Sequence, residues 1–184
     1  MRRHRLGGGR GACRSRTHRH HGCERNPALY ACGVDIVGPS NLETLLRTIP
    51  PYWESIRADL YRAIGDIDTA AGLAQAQERS PLFSAANIRK PLLIAQGAND
   101  VRVKAAESEQ IVAAMQGHGI PVTYIVYPDE GHGLGRAENR RSYKAVAEAF
   151  LSVHLGGRCE PVGDDFEGST IEFKGGRELI SGLD

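Results

Sequence analysis

The chain has 184 residues, with 23 Lys and Arg against 22 Asp and Glu, 41% hydrophobic residues, 22 Gly and four Cys. That content supports one ordinary core, and no apolar run approaches the roughly eighteen residues of a membrane span, so membrane-spanning and collagen-like classes are excluded. Nothing at the amino terminus resembles a signal-peptide hydrophobic region; the location stays unassigned, with the cytoplasm as default. Cys13, Cys23, Cys32 and Cys159 are too sparse and irregular for a disulfide framework.

The near-zero net charge conceals an asymmetry. Residues 1–25 carry eight Arg and a single acid, Glu24, whereas residues 26–184 carry 15 basic and 21 acidic side chains. The first segment has almost no apolar surface and neither helical nor alternating periodicity, so burial there cannot offset chain entropy. We expect residues 1–25 to be a disordered or aberrant basic segment, without strand, turn or helix.

From Asn26 the composition becomes globular. Tyr30 to Val37 reads as a buried strand, ended by Gly38-Pro39. Ser40 and Glu43 have capping-box spacing, which predicts a short helix over 41–48 with Ser40 as its cap, stopped by Pro50-Pro51. Trp53, Ile56, Leu60 and Ile64 recur at helical spacing over 52–64 and form a core or lid face. An alanine-rich helix over 66–80 closes at Ser80-Pro81.

Pro91 to Gln96 is a compact apolar strand entering the loop Gly97-Ala98-Asn99-Asp100. An amphipathic helix over 104–116 ends at Gly117 and Gly119. Val122 to Tyr127 is the next strand, and a helix over 136–155 carries Tyr143, Val146, Ala147, Phe150 and Leu151 on one stripe. Strand, helix, strand, helix implies parallel strands covered by helices, an α/β fold with a mostly parallel sheet and helices on both faces. The domain proper is residues 26–157; residues 158–184 form an acidic, Gly-rich tail with at most one short strand near Thr170 to Phe173.

In such sheets functional groups collect at the carboxyl ends of strands. Asp100 follows one strand and His132, in Asp129-Glu130-Gly131-His132-Gly133, follows the next. Adjacent strands lie about 5 Å apart, so the two can meet, the carboxylate fixing the imidazole tautomer and freeing the other nitrogen as general base. Taken singly, a loop His is usually a solvated side chain and a loop Asp a turn former; the pair in its strand context points to catalysis.

Several segments together resemble the catalytic domain of the prolyl oligopeptidase family of serine peptidases, above all its acylaminoacyl-peptidase-like members. They are Val34-Asp35-Ile36-Val37-Gly38-Pro39-Ser40-Asn41-Leu42, Pro50-Pro51-Tyr52-Trp53, Arg79-Ser80-Pro81, Pro91-Leu92-Leu93-Ile94 through Asp100, and Asp129-Glu130-Gly131-His132-Gly133. The resemblance implies the carboxyl-terminal part of an α/β-hydrolase fold. It also implies peptide-bond hydrolysis through a Ser-Asp-His triad in which Asp100 and His132 match the acid and base, with no cofactor or metal and a peptide or acyl substrate. Tyr52, Trp53 and Tyr61 are candidates for an acyl pocket, although aromatics at helical spacing more often serve the core.

The family's nucleophile sits in Gly-x-Ser-x-Gly on a strained strand-to-helix turn, and this sequence contains no such pentapeptide. Ser40 lacks the second Gly, and family spacing places the nucleophile near Gly11-Ala12-Cys13-Arg14-Ser15, where the second Gly is also absent. The abrupt change at Arg25-Asn26 is therefore expected to mark a truncated start or an off-frame reading of GC-rich coding DNA, leaving an inactive fragment. Alternatives stay open: a noncatalytic hydrolase-like binding or assembly protein, and, more weakly, a basic-tailed nucleic-acid binder acting through phosphate neutralisation. The basic segment lacks aromatics for base stacking, so no specific nucleic acid is expected. Cys13, His18, His20, His21 and Cys23 offer zinc-ligand chemistry but no short Cys-x(2–4)-Cys knuckle. No membrane partner is expected; self-association through an exposed sheet edge is.

Overall fold

The structure is a computed structural model that describes residues 29–183 and the backbone of a strand at Gly11–Cys13. Five strands form one sheet in the order β1-β2-β3-β4-β5: β1 Gly11–Cys13, β2 Tyr30–Ile36, β3 Leu92–Gly97, β4 Val122–Tyr127 and β5 Glu172–Gly175. The first four run parallel and β5 is antiparallel to β4. The helices are α1 Leu42–Arg47, α2 Arg57–Ile64, α3 Ala70–Arg79, α4 Ala105–Gly117 and α5 Ala137–Leu155, with 3-10 turns at Pro51–Ile56, Pro81–Asn87 and Arg177–Leu179. Among the described residues no helix is long and apolar enough to cross a membrane.

β3 and β4 are buried along their whole length, as apolar strands covered on both faces must be. Alternation divides their side chains between two cores. Leu92 and Ile94 join Val122, Tyr124 and Val126 beneath Ile111 and Met115 of α4. Leu93 and Ala95 join Cys32, Val34, Ile125 and Tyr127 beneath Val146 and Phe150 of α5. The expected stripe on α5 is the one that meets the sheet: Tyr143, Ala147 and Leu151 pack at its margin.

Four segments differ from the sequence expectation. Gly11–Cys13 is a three-residue strand paired to β2 at Tyr30, Cys32 and Gly33; it is held by backbone pairing, which leaves no hydrophobic pattern to read. The other expectations for residues 1–25 lie outside the described residues. The stretch over 52–64 breaks into a 3-10 turn and α2, since Pro50-Pro51 sets the first turn. Its apolar side chains are only partly covered: Leu60, Tyr61 and Ile64 pack on a small cluster of Leu46, Ile67 and Ala76, whereas Tyr52 and Ile56 are exposed.

Residues 158–183 fold back onto the domain instead of trailing from it. β5 pairs with β4 at Tyr124, Ile125 and Val126, and Val162, Phe166, Ile171, Phe173, Ile180 and Leu183 pack into the α5-side core.

The helix cap also moves by one residue. The side chain of Asn41, not Ser40, accepts the Glu43 N–H at 3.1 Å. Ser40 is fully buried and its hydroxyl donates to the backbone carbonyl of Glu107, while Oε2 of Glu107 accepts the N–H groups of Ser40 and Asn41 at 3.1 and 2.8 Å. Asn41 thus caps the helix in place of Ser40, and a carboxylate 67 residues away accepts the Ser40 N–H that capping-box spacing assigned to Glu43. This contact fixes the loop after β2, where Val37 adopts φ 50, a costly conformation for a β-branched residue.

Candidate active site

Asp100 sits in the turn between β3 and α4. Its side chain is wholly buried, and a buried carboxylate requires donors. Oδ1 accepts the backbone N–H groups of Arg102 at 2.8 Å and Val103 at 2.9 Å. Oδ2 faces Nδ1 of His132 at 2.9 Å and the amide nitrogen of Gln96 at 3.4 Å. The sequence-predicted pair is thus within hydrogen-bonding distance. A carboxylate only accepts, so neutral His132 carries its proton on Nδ1 and leaves Nε2 with a free lone pair. The His132 side chain is 24% exposed.

The two loops are stitched at backbone level. The N–H of Asn99 donates to the Glu130 carbonyl at 2.9 Å, the N–H of Ala98 to Tyr127 at 3.0 Å, and the Asn99 side-chain amide to Pro128 at 2.8 Å. They approach so closely at the end of β3 that a Cβ on Gly97 would lie 2.2 Å from the carbonyl oxygen of Gly131. Only a glycine fits there.

The His132 loop is folded by acids on either side of its start. Glu130, 5% exposed, accepts the N–H groups of Gly135 at 2.7 Å and Arg136 at 2.9 Å and the Asn139 amide at 2.8 Å. Burial pushes its carboxyl up, but the Gly135, Asn139 and Arg136 donors outweigh that penalty and the repulsion from Asp129, and its pKa falls below the ordinary value. Asp129 accepts hydrogen bonds from the Thr170 hydroxyl, Arg136 and Asn139, the first being the largest influence, and its pKa is lowered to about 2.

Asn139 is fully buried and joins this loop to residues 158–183. Its nitrogen donates to Asp129 and Glu130, while its oxygen accepts the Ser169 hydroxyl and the Thr170 N–H, both at 3.0 Å. Ser142, one turn on, links Tyr127 at 3.2 Å to Ser169 at 2.7 Å.

Sequence reasoning missed Gln96, Glu107, Ser108, Glu130 and Asn139. A signal existed for four of them. Glu107 and Ser108 share the buried face of α4 with Ile111, Val112 and Met115, Asn139 shares that of α5 with Val146 and Phe150, and Gln96 ends an otherwise apolar strand. Polar residues at core positions must be hydrogen-bonded.

Among the described residues no group of three or more His, Cys, Asp or Glu is placed to hold a metal. The zinc reading of Cys13, His18, His20, His21 and Cys23 rests on side chains outside the described residues. A cavity of about 570 Å³ runs along α5, lined by Val34, Tyr143, Ala147 and Leu151 among others; no residue of either loop borders it.

The chain is 58% identical over 157 residues to the dipeptidyl aminopeptidase BIII of Pseudoxanthomonas mexicana, a match that covers 85% of this chain and 23% of that protein. It is 52% identical over 136 residues to dipeptidyl peptidase family member 6 of Caenorhabditis elegans, covering 73% of this chain and 18% of that protein. The solved structure of an acylaminoacyl peptidase in complex with Z-Gly-Gly-Phe-chloromethyl ketone superposes with a TM-score of 0.70 at 17% identity, over 88% of this chain and 27% of that one. The chain therefore spans less than a third of the length of each of these proteins. It has the α/β-hydrolase fold of such peptidases. The prolyl oligopeptidase family model matches residues 23–158, and with those identities and that fold the chain belongs to the prolyl oligopeptidase family of serine peptidases.

Proposed function

We propose that residues 26–157 carry the acid–base half of a serine-peptidase active site, Asp100 orienting His132 and His132 serving as general base through Nε2. The observation that supports this is the 2.9 Å contact between His132 Nδ1 and the buried Asp100 carboxylate. In a triad such a base removes the proton of the attacking hydroxyl and returns it to the leaving amine, while the acid stabilises the imidazolium that forms. The substrate would be a peptide or acyl compound, by likeness to the dipeptidyl and acylaminoacyl peptidases.

The 184 residues hold no Gly-x-Ser-x-Gly, and we infer that the chain as it stands does not turn over substrate. An acid and base without a nucleophile can only orient water; in a well-studied triad enzyme, loss of the nucleophile costs about 10⁶ in kcat. The same absence favours a second reading, a noncatalytic hydrolase-like binding or assembly protein.

An activated ester and a peptide anilide, assayed with the full chain, are expected to give no turnover above buffer. Turnover comparable with that of intact serine hydrolases would overturn the inactivity. Its abolition by Cys13→Ala would then assign the thiol as nucleophile.

A further inference from the structure

We propose that Gln96 and Ser108 form a positioning unit for Asp100, one that sets which carboxylate oxygen meets His132; this rests on the acid–base reading above. Gln96 closes β3 and is fully buried, as is Ser108 in the first turn of α4. The amide nitrogen of Gln96 spans the loop that carries Asp100. It lies 3.0 Å from the carbonyl of Gly97 where the loop begins, 3.2 Å from that of Val103 where it ends, and 3.4 Å from Oδ2 of Asp100. All three partners are acceptors.

The amide cannot turn over. In the reverse orientation its oxygen would face two carbonyls and a carboxylate, a repulsive arrangement at a fully buried side chain. Ser108 satisfies the amide oxygen from behind, its hydroxyl donating to Oε1 of Gln96 at 2.9 Å, so both ends of the amide are held. The N–H groups of Arg102 and Val103 hold Oδ1, so the carboxylate plane is pinned at both oxygens and His132 meets Oδ2 in a fixed direction.

Ser108 and its neighbour Glu107 act in different directions from one helical turn. Glu107 holds the loop after β2 and Ser108, through Gln96, holds the loop after β3. Gln96 touches no reacting atom, so its role is positioning and not catalysis.

The test uses the full chain with ¹⁵N-labelled histidine, following the His132 ring tautomer and the solvent exchange of its Nδ1–H by NMR. In the unsubstituted protein the Nδ1–H tautomer is expected to dominate. Ser108→Ala, which removes one hydroxyl, and Gln96→Met, which removes the amide at similar volume, are each expected to speed Nδ1–H exchange about tenfold, roughly the value of one net hydrogen bond, and to mix the tautomers. The exposed His118 should not respond.

Ser108→Thr, which keeps the hydroxyl, should restore the Nδ1–H signature. Asp100→Asn is the arm that tests the underlying reading: if it leaves the His132 tautomer unchanged, the acid–base pair itself fails. If Asp100→Asn disturbs His132 while folded Gln96→Met and Ser108→Ala do not, only the positioning role is overturned. Should Gln96→Met fail to fold, Ser108→Ala decides alone.

Discussion

Asp100 and His132 face each other across two adjacent strands, yet the loops that carry them are built in different ways. The Asp100 loop is nearly self-sufficient: its carboxylate is held by the N–H groups two and three residues on, and the amide that spans the loop lies four residues back. The His132 loop relies on distant chain. Asn139 ties its first residues to Thr170, 31 positions further along, and Asp129 reaches Thr170 over 41. Asp100 is therefore placed by local sequence and His132 by tertiary structure, so damage to residues 158–183 should reach His132 while leaving Asp100 in place.

The largest expected effect comes from severing that link. Asn139→Leu keeps the branched side-chain shape but removes two donors to Asp129 and Glu130 and the acceptor for Ser169 and Thr170. Unsatisfied buried polar groups cost about 1–3 kcal/mol each, so a loss of about 3 kcal/mol or more is expected in urea unfolding. Amide exchange should separate the two loops: Gly135, Arg136 and Thr170 lose protection, whereas Arg102 and Val103 keep theirs. Equal loss at both loops would show that they form one cooperative unit.

Gly97→Ala attacks the seam between the loops. The added methyl would lie 2.2 Å from the Gly131 carbonyl and 2.6 Å from that of Glu130, and both obstacles are backbone, so one loop must move. Overpacking of this kind costs about 1–3 kcal/mol. We expect the His132 loop to yield, with loss of the Asn99 N–H bond to Glu130 visible as faster exchange of that amide. Protection of Val103 against exchange should survive; its loss would show that the Asp100 loop is the weaker of the two.

The same contrast explains how much could be read from sequence. β3 and β4 were legible because both faces of a covered strand are apolar, and the α5 stripe because five apolar residues recur at helical spacing. The closeness of Asp100 and His132 was legible because each follows such a strand. Ser40 was misread as a cap because its partner, Glu107, lies beyond any local pattern. Residues 158–183 looked like a tail because acids and glycines dominate the composition, while Phe166, Ile171, Phe173, Ile180 and Leu183 obey no single period and gain meaning only against α5. Gln96 left a weaker trace, a polar residue at the end of an apolar run, which alone does not say what it touches.

The smallest effect is a dependence on acid, and its sign follows from Asp129. The folded pKa of about 2 lies below the value near 3.9 of an unfolded aspartate. The contribution is therefore complete above the unfolded value and is lost as pH falls from about 4 towards about 2. Glu130 is shifted in the same direction, so both acids loosen the His132 loop together. Protonation of Asp129 weakens its hold on Thr170, Arg136 and Asn139 and with it the attachment of residues 158–183. Because Asp129 is partly solvated, the factor is modest: we expect amide exchange at Thr170, corrected for its intrinsic pH dependence, to accelerate by at most about fivefold between pH 5 and pH 2.5. Asp129→Asn should remove most of that dependence and leave the amides of Arg102 and Val103 unaffected. An acid response confined to the Asp100 loop would reverse the assignment of which loop depends on distant chain.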